Sequence, residues 1–334
     1  MARHLNEQVI VITGASSGIG RETAIMLGQR GSSVVLAARN EAALHEVAQE
    51  VERLGGKALI VVTDVAEWDQ VERLVRAAVD HFGRIDTWVN NAAVSEYAPV
   101  TDMTIAEIER IIQINLLGQI YGMKAALPHL TRQGQGTIIN VASTLAERSV
   151  PLQAAYCAAK HGIKGFTEAL RVELASIRSG VTVTLILPSS INTPRFEHAR
   201  SKLGVMPRPI PPIYEPRTVA EAILFAAEHP RRDIVVGGGK VVALTERISP
   251  SLLDWYMVRN RTMFDQQRSN RPDDERDNLF APMDGASSPT GGFGQTSKSV
   301  SLYTRVLELH PNRQRALNLG LVVAGLAAIR RFGR

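Results

Sequence analysis

The sequence predicts an α/β fold, a doubly wound parallel sheet of seven strands with a C-terminal extension, and three observations predict it. Short β-branched runs alternate with longer amphipathic segments from the start to about Gly239. Nearly all the short runs are continuously apolar, as strands covered on both faces must be. The first of them leads straight into a glycine-rich turn that opens a helix.

In chain order, the expected strands are Val9 to Thr13, Ser33 to Ala37, Ala58 to Thr63, Thr87 to Asn90, Gly136 to Val141, Val181 to Leu187 and Ile234 to Val236. Helical periodicity fills the intervals: Ile19 to Arg30, Glu41 to Leu54, Trp68 to Phe82, Ile105 to Leu130, Tyr156 to Ser176 and Val219 to Glu228. The catalytic body is placed in residues 1–249, with no element assigned beyond Ser249. Residues 250–301 read as a linker-like extension, because the stretch from Arg271 is rich in Asp, Ser, Gly and Pro and poor in apolar anchors. Residues 302–334 form a basic and apolar tail.

At 334 residues and 45% hydrophobic composition the chain can bury a large core. Its one cysteine, Cys157, cannot form an internal disulfide, so a reducing, cytoplasmic setting is expected. The first apolar run is too short for a secretory signal and reads as a strand. The net charge is +5, and the tail alone holds six arginines against Glu308, so residues 1–300 balance to zero. A neutral body argues against a nucleic-acid partner, which would need cations spread over a folded face.

The turn after the first strand reads Thr13, Gly14, Ala15, Ser16, Ser17, Gly18, Ile19, Gly20. Glycine at 14 can take the turn's backbone angles, at 18 it lets main chain approach a pyrophosphate, and at 20 it permits close helix packing. The helix N-terminus then offers free N–H groups to the anion. This is a Rossmann-type dinucleotide turn. The second strand ends in Ala38 and Arg39 with no carboxylate to hold a ribose 2′-hydroxyl. A guanidinium there suits a 2′-phosphate, so NADP(H) is the expected cofactor. Asp64 follows the third strand and Asn90, Asn91, Ala92, Ala93 the fourth, at the carboxyl ends where this architecture binds ligands.

Ser143 lies just past the fifth strand, and Tyr156 and Lys160 share one helix face four residues apart. A tyrosine, with an ordinary pKa near ~10, needs adjacent positive charge to exchange protons at neutral pH. Lys160 supplies it, and Ser143 is suited to hold a carbonyl oxygen.

Together these residues resemble the short-chain dehydrogenase/reductase family in its single-domain oxidoreductase branch, over roughly Leu5 to Leu244. The motifs are Thr13-Gly14-x-x-x-Gly18-x-Gly20, Asp64, Asn90-Asn91-Ala92-Ala93, Asn115, Ser143 and Tyr156-x-x-x-Lys160. The resemblance implies Tyr156 as acid/base, Lys160 as ribose ligand and pKa modulator, Ser143 as oxyanion partner and Asn115 as support for a water-linked proton relay. It implies a cofactor site built from Gly14, Ser16, Ser17, Gly18, Ile19, Gly20, Arg39, Asp64, Val65, Asn91, Ala92, Ala93, Tyr156, Lys160, Pro188, Ile191 and Thr193, with no metal. It also implies oligomers formed through the helices after the fourth and fifth strands. Two positions depart from the pattern: Ala93 and Ser189 stand where the family commonly has glycine.

Residues Asn192 to Pro216 are expected to form a substrate lid, with Phe196, Met206, Ile210, Ile213 and Tyr214 among several prolines. The substrate class is a carbonyl or alcohol, with no single compound indicated. A non-catalytic NADP(H) sensor or scaffold is the competing reading, and the intact Ser143, Tyr156 and Lys160 speak against it. Sugar-nucleotide epimerase chemistry would need a substantial further domain. In the tail, the uncharged stretch Ala316 to Ile329 spans roughly 21 Å as a helix, short of a bilayer core of roughly 30 Å. It suits either peripheral membrane contact, with Arg330, Arg331 and Arg334 meeting headgroups, or docking on the body or a second subunit.

Overall fold

The computed structural model describes residues 3–260, 262–283 and 288–310. The uncharged tail stretch and its terminal arginines lie outside these. Seven strands, β1 (Val9–Thr13), β2 (Ser33–Ala38), β3 (Lys57–Val62), β4 (Thr87–Asn90), β5 (Gly136–Val141), β6 (Val181–Pro188) and β7 (Asp233–Val236), form one all-parallel sheet in the order β7-β6-β5-β4-β1-β2-β3. The order reverses between β1 and β4, which opens a crevice at their carboxyl ends. The doubly wound seven-stranded prediction holds, with every strand within a residue of its expected bounds.

The helices are α1 (Gly18–Gly28), α2 (Glu41–Arg53), α3 (Trp68–Phe82), α4 (Ile105–Ile112), α5 (Gly118–Gln133), α6 (Ala154–Ser176), α7 (Pro216–Glu228), α8 (Gly239–Ile248) and α9 (Pro250–Asn260). Side chains alternate across a strand, so each β-branched run feeds two cores. Val9 and Val11 pack with Leu74 of α3, Met123 of α5 and Ile163 of α6, whereas Ile10 and Ile12 pack with Leu27 of α1, Leu44 of α2 and Ile223 of α7. This double covering is why the strands are apolar throughout.

Three differences from expectation bear on the site. The helix expected from Ile105 to Leu130 is broken by a π turn over Gln113–Leu117, with Asn115 buried in it. Such turns leave the overall periodicity nearly intact, so the hydrophobic pattern does not betray them. Second, two further helices follow β7: α8 closes the body and α9 opens the extension. Leu252, Trp255 and Val258 of α9 are exposed, leaving no one-sided apolar stripe for periodicity to detect.

Third, the rest of the extension is woven into the lid. Arg268–Pro272 pairs antiparallel with Val205–Pro207, and Ser297–Lys298 pairs with Ile213–Tyr214. Phe293 stacks edge-on against Phe196, their ring centroids 5.8 Å apart. These contacts are mostly backbone pairings, which a composition rich in Asp, Ser, Gly and Pro conceals.

Candidate active site

The glycine turn is locked to the end of β4. The Thr13 hydroxyl accepts from the Asn91 and Ala92 amides at 3.0 and 3.2 Å, and the Asn91 side chain donates to the Thr13 and Gly14 carbonyls at 3.0 and 3.1 Å. Gly14 and Gly18 both have positive φ, +67° and +56°, and a Cβ on Gly14 would stand 2.7 Å from Ala92 Cα. No L side chain fits there. The Ser17 side chain does not cap α1, which leaves the first-turn amides to other acceptors.

A cavity of about 230 Å³ runs from this turn along the carboxyl ends of the strands to the loop after β6. Along its walls lie Gly14, Ser16, Ser17, Gly18, Ile19, Arg39, Asp64, Val65, Asn91, Ala92, Ala93, Ser143, Tyr156, Lys160, Pro188 and Thr193. The structure thus brings together all the predicted site residues except Gly20, Ile191 and Asn115. Gly20 packs behind the turn, Ile191 lines a second cavity, and Asn115 is fully buried with its amide spent on both backbone groups of Val94, at 2.9 Å each. In this geometry Asn115 ties the π turn to the loop after β4.

At the β2 end, Arg39 donates to the carbonyls of Asn278 and Phe280, and Asn40 donates to that of Met283 at 2.7 Å. Burial lowers the Arg39 pKa from its ordinary value, with Asp64 opposing the shift. Asp64 is paired with Arg110, whose Nε also donates to the Leu279 carbonyl at 3.2 Å. The Gly18 amide donates to the Ser288 carbonyl at 3.0 Å. Two parts of the extension, around residues 278–283 and at Ser288, therefore border the nucleotide groove. Sequence reasoning missed these neighbours because main-chain carbonyls carry no residue signature.

At the other end, Tyr156 and Lys160 are almost fully buried, 3% and 1% exposed. Lys160 Nζ lies 5.4 Å from the Tyr156 ring centroid and donates to the Val141 carbonyl at 3.0 Å. Burial pushes its ammonium down to about 7, with the charge of Arg195 adding to the shift. Ser143 Oγ accepts from the Leu145 amide at 3.1 Å, retaining its own proton and a lone pair for another partner. Ser189, one of the two departures, has a buried Oγ without a hydrogen-bond partner among the described residues and lines both cavities. The second cavity, about 80 Å³, lies beyond Ser143 and mixes Tyr97, Ile191 and Phe196 with Gln153 and Gln267.

A family model described as short chain dehydrogenase matches residues 8–204. The chain is a short-chain dehydrogenase/reductase. Among similar proteins, an uncharacterized oxidoreductase of Bacillus subtilis, YxnA, is 41% identical over 330 residues, covering 98% of this chain and 90% of that protein. A 3-oxoacyl-[acyl-carrier-protein] reductase of Synechocystis is 36% identical over 234 residues, covering 70% of this chain and 94% of that one. A crystal structure of a short-chain dehydrogenase/reductase from Mycobacterium marinum superposes with a TM-score of 0.63 at 30% identity, over 71% of this chain and 96% of its own. An alcohol dehydrogenase from Thermococcus sibiricus, complexed with 5-hydroxy-NADP, superposes at 0.60 and 25% identity, over 69% and 95%. The chain is thus an oxidoreductase of a family that binds a nicotinamide cofactor. The YxnA match spans the extension as well as the body. Among the described residues, no helix is long and apolar enough to cross a membrane.

Proposed function

We propose that the protein interconverts a carbonyl and a secondary alcohol with NADP(H), Tyr156 acting as acid/base. The observation that carries this is the convergence of the buried Tyr156–Lys160 pair and Ser143 on the cavity that the glycine turn opens. The cradle fits a dinucleotide: with no side chain at Gly14 or Gly18, it leaves the first-turn α1 amides after Gly18, whose own amide is taken by Ser288, to a pyrophosphate, and it sets Arg39 at the β2 end for a 2′-phosphate. When bound, the nicotinamide supplies or accepts the hydride. Ser143 Oγ–H holds the substrate oxygen, and Tyr156 gives its hydroxyl proton to that oxygen in reduction or takes one in oxidation. Lys160 stabilises the phenolate left behind and offers its ammonium to the ribose. A nucleotide sensor without chemistry has no use for a buried tyrosine–lysine pair, which costs folding free energy.

Titration with NADPH and NADH, then a carbonyl panel followed by loss of nicotinamide absorbance, tests the reading. NADPH should bind more tightly, and Tyr156→Phe should abolish turnover on every active carbonyl while leaving NADPH affinity within about twofold. Retained turnover in that variant refutes Tyr156 as the acid/base.

A further inference from the structure

Arg195 opens the one-turn helix Arg195–His198 of the lid, directly after Thr193 and Pro194, and its guanidinium lies over the Tyr156 ring, 4.0 Å from the centroid. Nη1 donates to the Tyr156 hydroxyl at 2.9 Å, Nε to Ser95 Oγ at 2.6 Å and Nη2 to Gln153 Oε1 at 3.3 Å. All three acceptors are neutral, and no carboxylate among the described residues pairs with this cation. Arg195 is half-buried on the cavity wall, and a guanidinium held there without a counter-ion is best compensated when a negative charge forms beside it. The atom on which charge forms in the proposed chemistry is the Tyr156 oxygen.

We propose that Arg195 is a second catalytic cation of this site, donating to the Tyr156 oxygen so that the hydroxyl proton is left for the substrate. The inference rests on Tyr156 being the acid/base. In reduction the Tyr156 O–H bond breaks, its proton joins the substrate alkoxide to complete the alcohol O–H, and the electron pair stays on the phenol oxygen. That oxygen is then held by the Nη1–H of Arg195, with the Lys160 ammonium 5.4 Å from the ring centroid; in oxidation the same bonds form and break in reverse.

The two cations are not equivalent. Burial brings the Lys160 ammonium down to about 7, so near neutrality it carries only part of its charge. Burial would also lower Arg195, but Tyr156 and Tyr97 hold its pKa above the ordinary value, and a guanidinium stays charged throughout. The remaining titratable neighbours of Tyr156 are Tyr97, pushed up to about 12 by burial, and Cys157, also raised by burial. Both stay neutral. Among the described residues the cations placed over the Tyr156 ring are Lys160 and Arg195, and of these two Arg195 belongs to the lid. Phe196, its neighbour, packs in the cluster of Tyr97, Leu152 and Leu203, so seating of this cluster also seats the charge.

The test is a direct titration of Tyr156 that needs no substrate. The phenolate absorbance of the full chain is recorded against pH, and the same curve for Tyr156→Phe is subtracted, leaving Tyr156 alone. The subtraction is repeated in an Arg195→Gln background. Removing the charge should raise the Tyr156 midpoint by about one unit or more, the scale of an opposite charge within hydrogen-bond reach. Ser95→Ala, which takes away the acceptor on Nε, should raise it by a smaller amount, and it carries the comparison if Arg195→Gln no longer binds NADPH. Arg195→Lys should restore most of the shift. Coincident midpoints in wild type and an NADPH-binding Arg195→Gln, or in wild type and Ser95→Ala if that variant must stand in, overturn the inference. Turnover by Tyr156→Phe instead overturns the acid/base reading, so the two failures are separable.

Discussion

The glycine at position 20 gives the sharpest test of how the nucleotide turn is built. A Cβ there would stand 2.1 Å from the Gly14 carbonyl oxygen and 2.7 Å from Asn91 Nδ2. Carbon and carbonyl oxygen rest at about 3.3 Å or more, so Gly20→Ala must displace α1 or the turn by roughly 1 Å. The two hydrogen bonds from Asn91 to the Thr13 and Gly14 carbonyls break first, at about 1 kcal/mol each, and overpacking adds about 1–3 kcal/mol. The variant should therefore lose about 3–5 kcal/mol of stability in urea denaturation. Its NADPH affinity should fall about 10²-fold, since the displaced amides are those that face the pyrophosphate and each such bond to a charged group contributes about 1.5–3 kcal/mol. Gly165→Ala is the matched control. It lies exposed in α6, a Cβ would meet nothing within 4 Å, and the change should stabilise by about 0.5–1 kcal/mol without touching affinity. Wild-type stability and NADPH affinity in Gly20→Ala would mean that the turn is not held in this way, and the site's geometry would have to be redrawn.

Two further variants follow from charged groups, Arg39 on the cavity wall and Glu96 buried beside the lid. Arg39→Ala should weaken NADPH binding by about 1–3 kcal/mol while leaving NADH nearly unchanged, and equal losses for both nucleotides in calorimetry would remove Arg39 as the phosphate ligand. Glu96 and Glu107 share the Lys202 ammonium, at 3.6 and 2.6 Å. Glu107 is held down to about 2: burial acts against this but is outweighed by bonds from Lys202, Thr104 and Arg200; buried Glu96 is pushed up to about 7 by desolvation. Folded Glu96 therefore binds a proton more tightly than in the unfolded chain, so its contribution is full below about pH 4.5 and is lost as pH rises through about 7. Glu96→Gln should flatten the stability profile across that window and stabilise the protein above it by on the order of 1–3 kcal/mol. Parallel unfolding curves for the two proteins from pH 4.5 to 8 would count against the shift.

How much of this was legible in the sequence depends on how each feature is encoded. The strands were, because a parallel sheet covered on both faces demands apolar runs, and Ile10 and Val11 need no distant partner to be recognised. The glycine turn and the Tyr156–Lys160 pair were, because their chemistry dictates spacing along one element. Arg195 was not: it reaches Tyr156 only through the path of the lid, and nothing in its local sequence distinguishes it from a solvated arginine. The π turn at Asn115 was hidden for a different reason, since one extra residue hardly disturbs an amphipathic pattern. Asn278, Phe280 and Ser288 act through main-chain carbonyls, which every residue possesses.

Those carbonyls also have a bearing on the order in which the molecule is completed. Arg39 meets Phe280 across 241 residues and Asn40 meets Met283 across 243, so the first two βα units find part of their surroundings only near the far end of the chain. Such separation costs little at equilibrium, because closure entropy grows only logarithmically with length. In time it matters more. The nucleotide groove, set by β1, β2 and β4, gains this flank only once residues 278–283 and Ser288 have been synthesised. The border of the groove is thus the last part of its wall to be built.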